Sequence, residues 1–115
     1  MISPIPENEP PLDTVIRLIG GKYKSGIIWM LSTNDSMRYS DLRKVLIKDS
    51  SPRMLSISLK ELESDGLLRR TVVKDNPPWV EYSLTPLGMS LIPILEDIAL
   101  WGAAYQEMVS DMNGL

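Results

Sequence analysis

The chain has 115 residues, a formal net charge of −3 and a hydrophobic fraction of 43%, which is one domain's worth of sequence with an ordinary globular balance. It contains no Cys and no His, so disulfides, thiolate metal sites, thiol redox sensing and imidazole base catalysis have no residues to use. No uninterrupted apolar run approaches the roughly 20 residues of a membrane helix, and the opening Met1-Ile2-Ser3-Pro4-Ile5-Pro6 lacks the pattern of a secretory signal. The expectation is a soluble cytoplasmic domain with no membrane partner, no metal, no cofactor and no enzymatic role.

Four of the nine prolines fall in residues 1–11, predicting an extended arm ahead of a folded unit over 12–115. Leu12, Val15, Ile16 and Ile19 follow the i, i+3, i+4, i+7 spacing of a short amphipathic helix, which Gly20 and Gly21 stop. A second helix is predicted from near Lys22, with Tyr23, Ile27, Met30 and Leu31 on one face and a polar turn at 32–35. Arg38 and Tyr39 suit a short strand. Ser40 is placed to cap a third helix with Leu42, Val45 and Leu46 as its buried stripe. Ser51 then serves as cap and Pro52 as first residue of a fourth helix, about 52–65. Leu55, Leu59 and Leu62 form its inner face, and Gly66 stops it with Leu67 touching back on Leu62.

Two β-like runs, Leu67–Val73 and Trp79–Leu84, flank Lys74-Asp75-Asn76-Pro77-Pro78, the pattern of a hairpin with an exposed tip. Thr85 as cap and Pro86 as first residue open a last helix over about 86–112, bent at Pro93 because proline cannot donate to the Met89 carbonyl. Helix, helix, short strand, helix, helix, hairpin, helix describes a winged helix-turn-helix, a mainly α fold with a small β-hairpin. In that motif the second helix of the pair enters the major groove of DNA while the first crosses the backbone. The groove helix here is 52–65 and the wing is 67–84.

Charge follows the same division. Residues 38–74 hold nine basic and five acidic side chains, a local +4, whereas residues 86–115 hold four acids and no base. A local basic stripe attracts phosphate even in a chain with a net negative charge. With the leucines facing inward, Arg53, Ser56, Ile57 and Lys60 remain on the outside of the groove helix. Arg53 near its start suits guanine or phosphate, and Ser56 suits either base edges or phosphate. Ile57 either packs on a thymine methyl or lies half buried if the helix is rotated. Tyr39, Ser40 and Ser51 are placed at the DNA backbone, with Arg70, Lys74 and Asn76 on the wing. Alternation sends Arg69 and Arg70 to opposite faces, so one of the two meets DNA, and Arg70 is favoured.

The last helix has a wider apolar face than a helix lying on a small domain needs. Leu91, Leu95, Ile98, Trp101 and Tyr105, together with Leu12 and Ile16 of the first helix, are the predicted interface of a two-fold dimer matching a palindromic operator. The alternative is that this stripe completes the monomer's own core. Catalytic motifs are weak: Gly20-Gly21-Lys22 does not continue as a phosphate loop, and the carboxylates lack calcium-loop spacing.

These residues resemble the HxlR-type transcriptional regulators, a winged-helix family close to the MarR group. The matching stretches are Leu18-Ile-Gly-Gly-Lys-Tyr, Arg38-Tyr-Ser-Asp-Leu-Arg, Ser51-Pro-Arg-Met-Leu-Ser, Leu59-Lys-Glu-Leu-Glu-Ser-Asp-Gly-Leu, Pro77-Pro-Trp-Val-Glu-Tyr-Ser-Leu-Thr and Trp101-Gly. The resemblance implies a homodimeric prokaryotic DNA-binding regulator whose first and last helices make the dimer. Three departures stand out. Pro10 occupies the position of the family's frequent cysteine, so thiol sensing does not carry over. Ile57-Ser58 replaces a common Gln-Arg, implying fewer hydrogen bonds and more apolar contact at the bases. Trp79 replaces a common wing Arg, implying weaker phosphate contact there or a Trp packed on the wing's base. The reading is a homodimeric, sequence-specific duplex-DNA-binding regulator. The competing one is a winged-helix module that binds protein through the same face, Met54 and Ile57 included. An unidentified small-molecule effector between the first and last helices would extend the first reading.

Overall fold

In the computed structural model, which describes residues 2–46 and 52–114, the chain forms α1 (Pro11–Ile19), α2 (Lys24–Leu31), β1 (Met37–Arg38), α3 (Tyr39–Leu46) and α4 (Pro52–Ser64). There follow β2 (Leu68–Val73), β3 (Trp79–Leu84), α5 (Pro86–Met89) and α6 (Ile92–Met112). The strands make one antiparallel sheet in the order β1-β3-β2, with Arg38 opposite Glu81, Arg70 opposite Tyr82 and Val73 opposite Trp79. This is the winged helix-turn-helix fold.

Ile27, Ile28, Leu42, Leu55, Leu59 and Leu62 are fully buried, and each such side chain contributes about 1.5–3 kcal/mol. Together they fix α4 against α2 and α3. Ile28 lies off the face predicted for α2, yet α2 meets α3, α4, α6 and β3, so little of it is left for solvent. Lys24 is buried too. Its ammonium lies 2.6 Å from the Glu61 carboxylate and donates to the Arg17 carbonyl oxygen at 3.4 Å. The Arg17 guanidinium in turn donates to Glu9 at 3.0 Å and lies 3.7 Å from Asp65. This chain of charges, invisible to periodicity, ties the arm, α1 and α2 to the outer flank of α4.

The end of α4 follows its sequence signal. Gly66 takes φ +78°, its N–H reaches the Glu63 carbonyl and the Leu67 N–H reaches the Leu62 carbonyl, both at 3.0 Å. That pairing satisfies two carbonyls that a helix terminus would otherwise leave open. The Thr85 hydroxyl then donates to the Gly66 carbonyl at 2.6 Å and accepts from the Gly88 N–H at 3.0 Å. One side chain thus joins the exit of α4 to the start of α5. Gly88 has to be glycine, since a Cβ there would strike the Leu67 carbonyl oxygen.

Several expectations are corrected. The last helix is two helices rather than one bent rod: α5 ends at Met89 and α6 begins at Ile92. Pro93 lies in the first turn of α6, where a missing N–H leaves no intrahelical acceptor unpaired. Helix α3 starts at Tyr39, which therefore leaves the predicted strand, and Ser40 sits inside its first turn rather than at its cap. The Asp41 carboxylate does that work by accepting from the Arg38 backbone N–H at 3.2 Å. Val45 is exposed, although α3 packs against α2, β1 and β3. By length and composition, Pro86–Met112 contains an 18-residue stretch apolar enough to cross a membrane, with mean hydropathy 1.4. Counting uninterrupted apolar runs missed this because Glu96 and Asp97 interrupt the segment without lowering its average much. The cap assigned to Ser51 lies outside the described residues.

Candidate nucleic-acid interface

The leucine stripe of α4 turns Arg53, Ser56 and Lys60 outward, and all three are exposed. The first turn of this helix is held from α3. The Tyr39 hydroxyl donates to the Pro52 carbonyl at 3.2 Å and accepts from the Ser56 hydroxyl at 3.4 Å. Tyr39 is therefore half-buried with its hydroxyl engaged within the fold, and Ser40 stays exposed beside it. Ile57 is 36% exposed and occupies the flank of α4. There it lines a cleft of about 550 Å³ with Arg17, Lys24, Lys60, Glu61 and Asp65. Its two sequence readings meet halfway, since the side chain is partly covered and still reachable.

On the wing, alternation separates the two arginines as expected. Arg70 shares a cleft of about 350 Å³ with Ser56, Leu59, Lys60, Glu63 and Tyr82, which puts it on the sheet face toward α4. Arg69 opposes Ser83 on the other face. Lys74 and Asn76 are exposed at the hairpin tip, where the Asn76 N–H donates to the Asp75 carboxylate at 2.9 Å. Among the described residues the ion pairs belong to Arg17 and Lys24. Arg53, Lys60, Arg70 and Lys74 make no ion pair among the described residues, and Glu63 lines the same cleft as Lys60 and Arg70. No group of acidic residues suited to a metal ion occurs among the described residues.

The sequence reading left out Arg43 and Lys44, exposed on α3, whose position on the helix that crosses the backbone was the available signal. It also left out Arg38, which stands over the Trp79 ring. Only the pairing of β1 with β3 brings those two together. Trp79 is half-buried at the loop end of the wing, opposite Val73, and donates from Nε1 to Glu81 at 3.3 Å.

A second set of exposed side chains is apolar and lies on α1 and α6. Leu12 and Ile16 of α1 are exposed, as are Ile94, Ile98, Trp101, Tyr105, Met108 and Met112 of α6. The Trp101 and Tyr105 rings stack with centroids 5.4 Å apart. Spacings of four, three, four, three and four along α6 make this a strict heptad seam, the pattern that packs against another helix. Leu91 and Leu95, expected on the interface, are instead buried in the chain's own core, because the first turn of α6 rests on the domain before the helix runs free.

A family model described as HxlR-like helix-turn-helix matches residues 18–110. The uncharacterized HTH-type transcriptional regulator YdzF of Bacillus subtilis (strain 168) is 40% identical over 96 residues, covering 84% of this chain and 87% of that protein. Among solved structures, the redox regulator HypR in its reduced form superposes with a TM-score of 0.79 at 32% identity, covering 89% of this chain and 99% of that one. The HTH-type transcriptional regulator YtcD superposes with a TM-score of 0.76 at 36% identity, covering 86% and 99%.

Proposed function

The chain belongs to the HxlR-like helix-turn-helix family, whose relatives are transcriptional regulators, and from that premise we propose a homodimeric regulator that reads a palindromic duplex-DNA site and performs no reaction. The observation that carries this reading is the shared surface of α4 and the wing. Arg53, Ser56 and Lys60 face outward, Ser56 and Lys60 share a cleft with Arg70, and the three cations make no ion pair among the described residues. In this account Arg53, Ser56, Ile57 and Lys60 enter the major groove. Tyr39 and Ser40 flank a backbone phosphate, as does Ser51. Arg70, Lys74 and Asn76 follow the adjacent groove from the wing. Tyr39 acts mainly by fixing the angle at which α4 is presented.

The heptad seam of α6, with Leu12 and Ile16, supports two-fold pairing with a second copy. A membrane is a poorer occupant. Asp97, close to the middle of the segment, would cost about 3 kcal/mol in a bilayer core, and Leu91 and Leu95 anchor the first turn of α6 in the domain. The cytoplasm is the compartment such a regulator occupies. HypR is a redox regulator, but with no Cys in this sequence the signal here is one that does not act through a thiol.

The test is a pair of variants assayed on the selected DNA site and on unrelated duplex. Arg53→Ala is expected to cost about 1–3 kcal/mol and to relax preference at one base. Lys74→Ala is expected to lower the salt slope of binding by about one unit with sequence preference unchanged. Binding that ignores salt would favour the protein-interaction module instead.

A further inference from the structure

Arg38 ends β1 and directly precedes Tyr39, the residue that holds the start of α4. Across the sheet its guanidinium carbon lies 4.0 Å from the centre of the Trp79 ring, and Trp79 directly follows the wing loop 74–78. The acid opposite Arg38 in the register is Glu81. Glu81 makes no ion pair with it among the described residues and accepts from Trp79 Nε1 instead. Arg38 is exposed, and no side-chain hydrogen bond of its guanidinium occurs among the described residues. Its face is therefore engaged while its N–H donors are not. A guanidinium held in this way over an aromatic ring retains a planar fork of donors matched to a phosphate.

Resting on the DNA-binding reading above, we propose that Arg38 is a phosphate contact between the helix-turn-helix and the wing, and that Trp79 is the residue that positions it. The location suits this role, since Arg38 stands where β1, paired with the wing strand β3, leads into α3, which holds the start of the groove helix. The indole takes one side of the guanidinium, limits the conformations of a long side chain, and so reduces the entropy lost on binding. Glu81 is occupied by the indole N–H and does not draw the guanidinium away.

The test measures binding to a mixed-sequence duplex by fluorescence anisotropy across a salt series, with thermal melting of every variant as a folding control. Loss of one phosphate contact lowers the slope of log K against log salt by about 0.9, equivalent to about a 3.5-fold change in the variant's relative affinity between 50 and 200 mM salt. Arg38→Ala is expected to show this reduction, and Arg38→Lys to keep the slope while binding more weakly than the native chain. Trp79→Ala is expected to weaken binding, Trp79→Phe to restore it, and Trp79→Ala to add nothing in the Arg38→Ala background. A steep slope for the native chain that Arg38→Ala leaves unchanged would overturn the assignment, and a lowered melting point alone would show that the pair merely staples β1 to the wing. A native chain with no salt slope at all would bring down the DNA-binding reading itself, and this inference with it.

Discussion

Thr85→Val isolates the joint between the groove helix and the helices of the second surface. Valine matches threonine in shape but removes the hydroxyl that accepts from the Gly88 N–H at 3.0 Å and donates to the Gly66 carbonyl at 2.6 Å. The first bond is an N-cap, whose loss costs about 1 kcal/mol. The second satisfies a carbonyl in the turn that ends α4, and its loss costs about 1 kcal/mol more. The backbone bond from the Thr85 N–H to the Leu67 carbonyl, 3.1 Å, survives the substitution, so the joint is weakened and not abolished. A total of about 2 kcal/mol corresponds to a melting point lowered by roughly 6–12 °C for a chain of this size. The assay is thermal unfolding followed by circular dichroism at one fixed protein concentration, because association would shift the midpoint. Thr85→Ser keeps the hydroxyl and is expected to retain most of the stability. A Val variant within about 0.5 kcal/mol of the native chain, which is the range of an ordinary surface change, would refute the reasoning. So would a Ser variant as unstable as the Val.

Trp101→Glu places a charge on the α6 seam and should weaken self-association at least about 30-fold, the effect of losing an interface anchor of about 2 kcal/mol. Sedimentation velocity reads this, and the monomer's fold should survive because Trp101 is 69% exposed within one chain. At the Lys24–Glu61 pair the two partners should respond unequally. Glu61→Ala strands an ammonium that keeps only a 3.4 Å bond and should cost about 1–3 kcal/mol. Lys24→Met leaves a carboxylate that water can reach and should cost less, so equal losses in urea unfolding would contradict the asymmetry. In acid the arm should loosen. Hydrogen bonds from Arg17 and then Thr14 hold the Glu9 carboxyl below the usual Glu value, so its contribution is full above the ordinary Glu range and disappears as pH falls through the lowered value. An NMR titration of Glu9 with an ordinary midpoint would remove the arm's anchor.

Local signals carried most of the fold. The Thr85 cap, Gly66 and the leucine stripe of α4 each act through residues close in sequence, so their consequences can be read from a short window. The misreadings arose where distant elements decide. Val45 fits a helical stripe, but it is exposed among the described residues. Leu91 and Leu95 look like the rest of the α6 stripe, yet their turn lies against the domain. Pro93 suggests a bend within one helix, but it lies in the first turn of α6, after the break from α5. The candidate DNA surface was legible where it lies on one helix, as with Arg53, Ser56 and Lys60. Arg70 needed strand alternation as well. Arg38 over Trp79 needed the β1–β3 register, and the Arg17, Lys24, Glu61 and Asp65 chain needed the docking of α1 and α2 on α4. No single-segment pattern encodes those.

The central claim is specific recognition of a two-fold DNA site by two copies of this chain. Selection of bound fragments from genomic DNA by the purified protein, at about 150 mM salt to suppress non-specific binding, tests it most directly. The account predicts enrichment of a palindromic site with half-sites about one helical turn apart, relaxed at one base position by Arg53→Ala and lost with Trp101→Glu. Recovery of no preferred sequence would contradict it and would return the surface of α4 to the protein-binding reading.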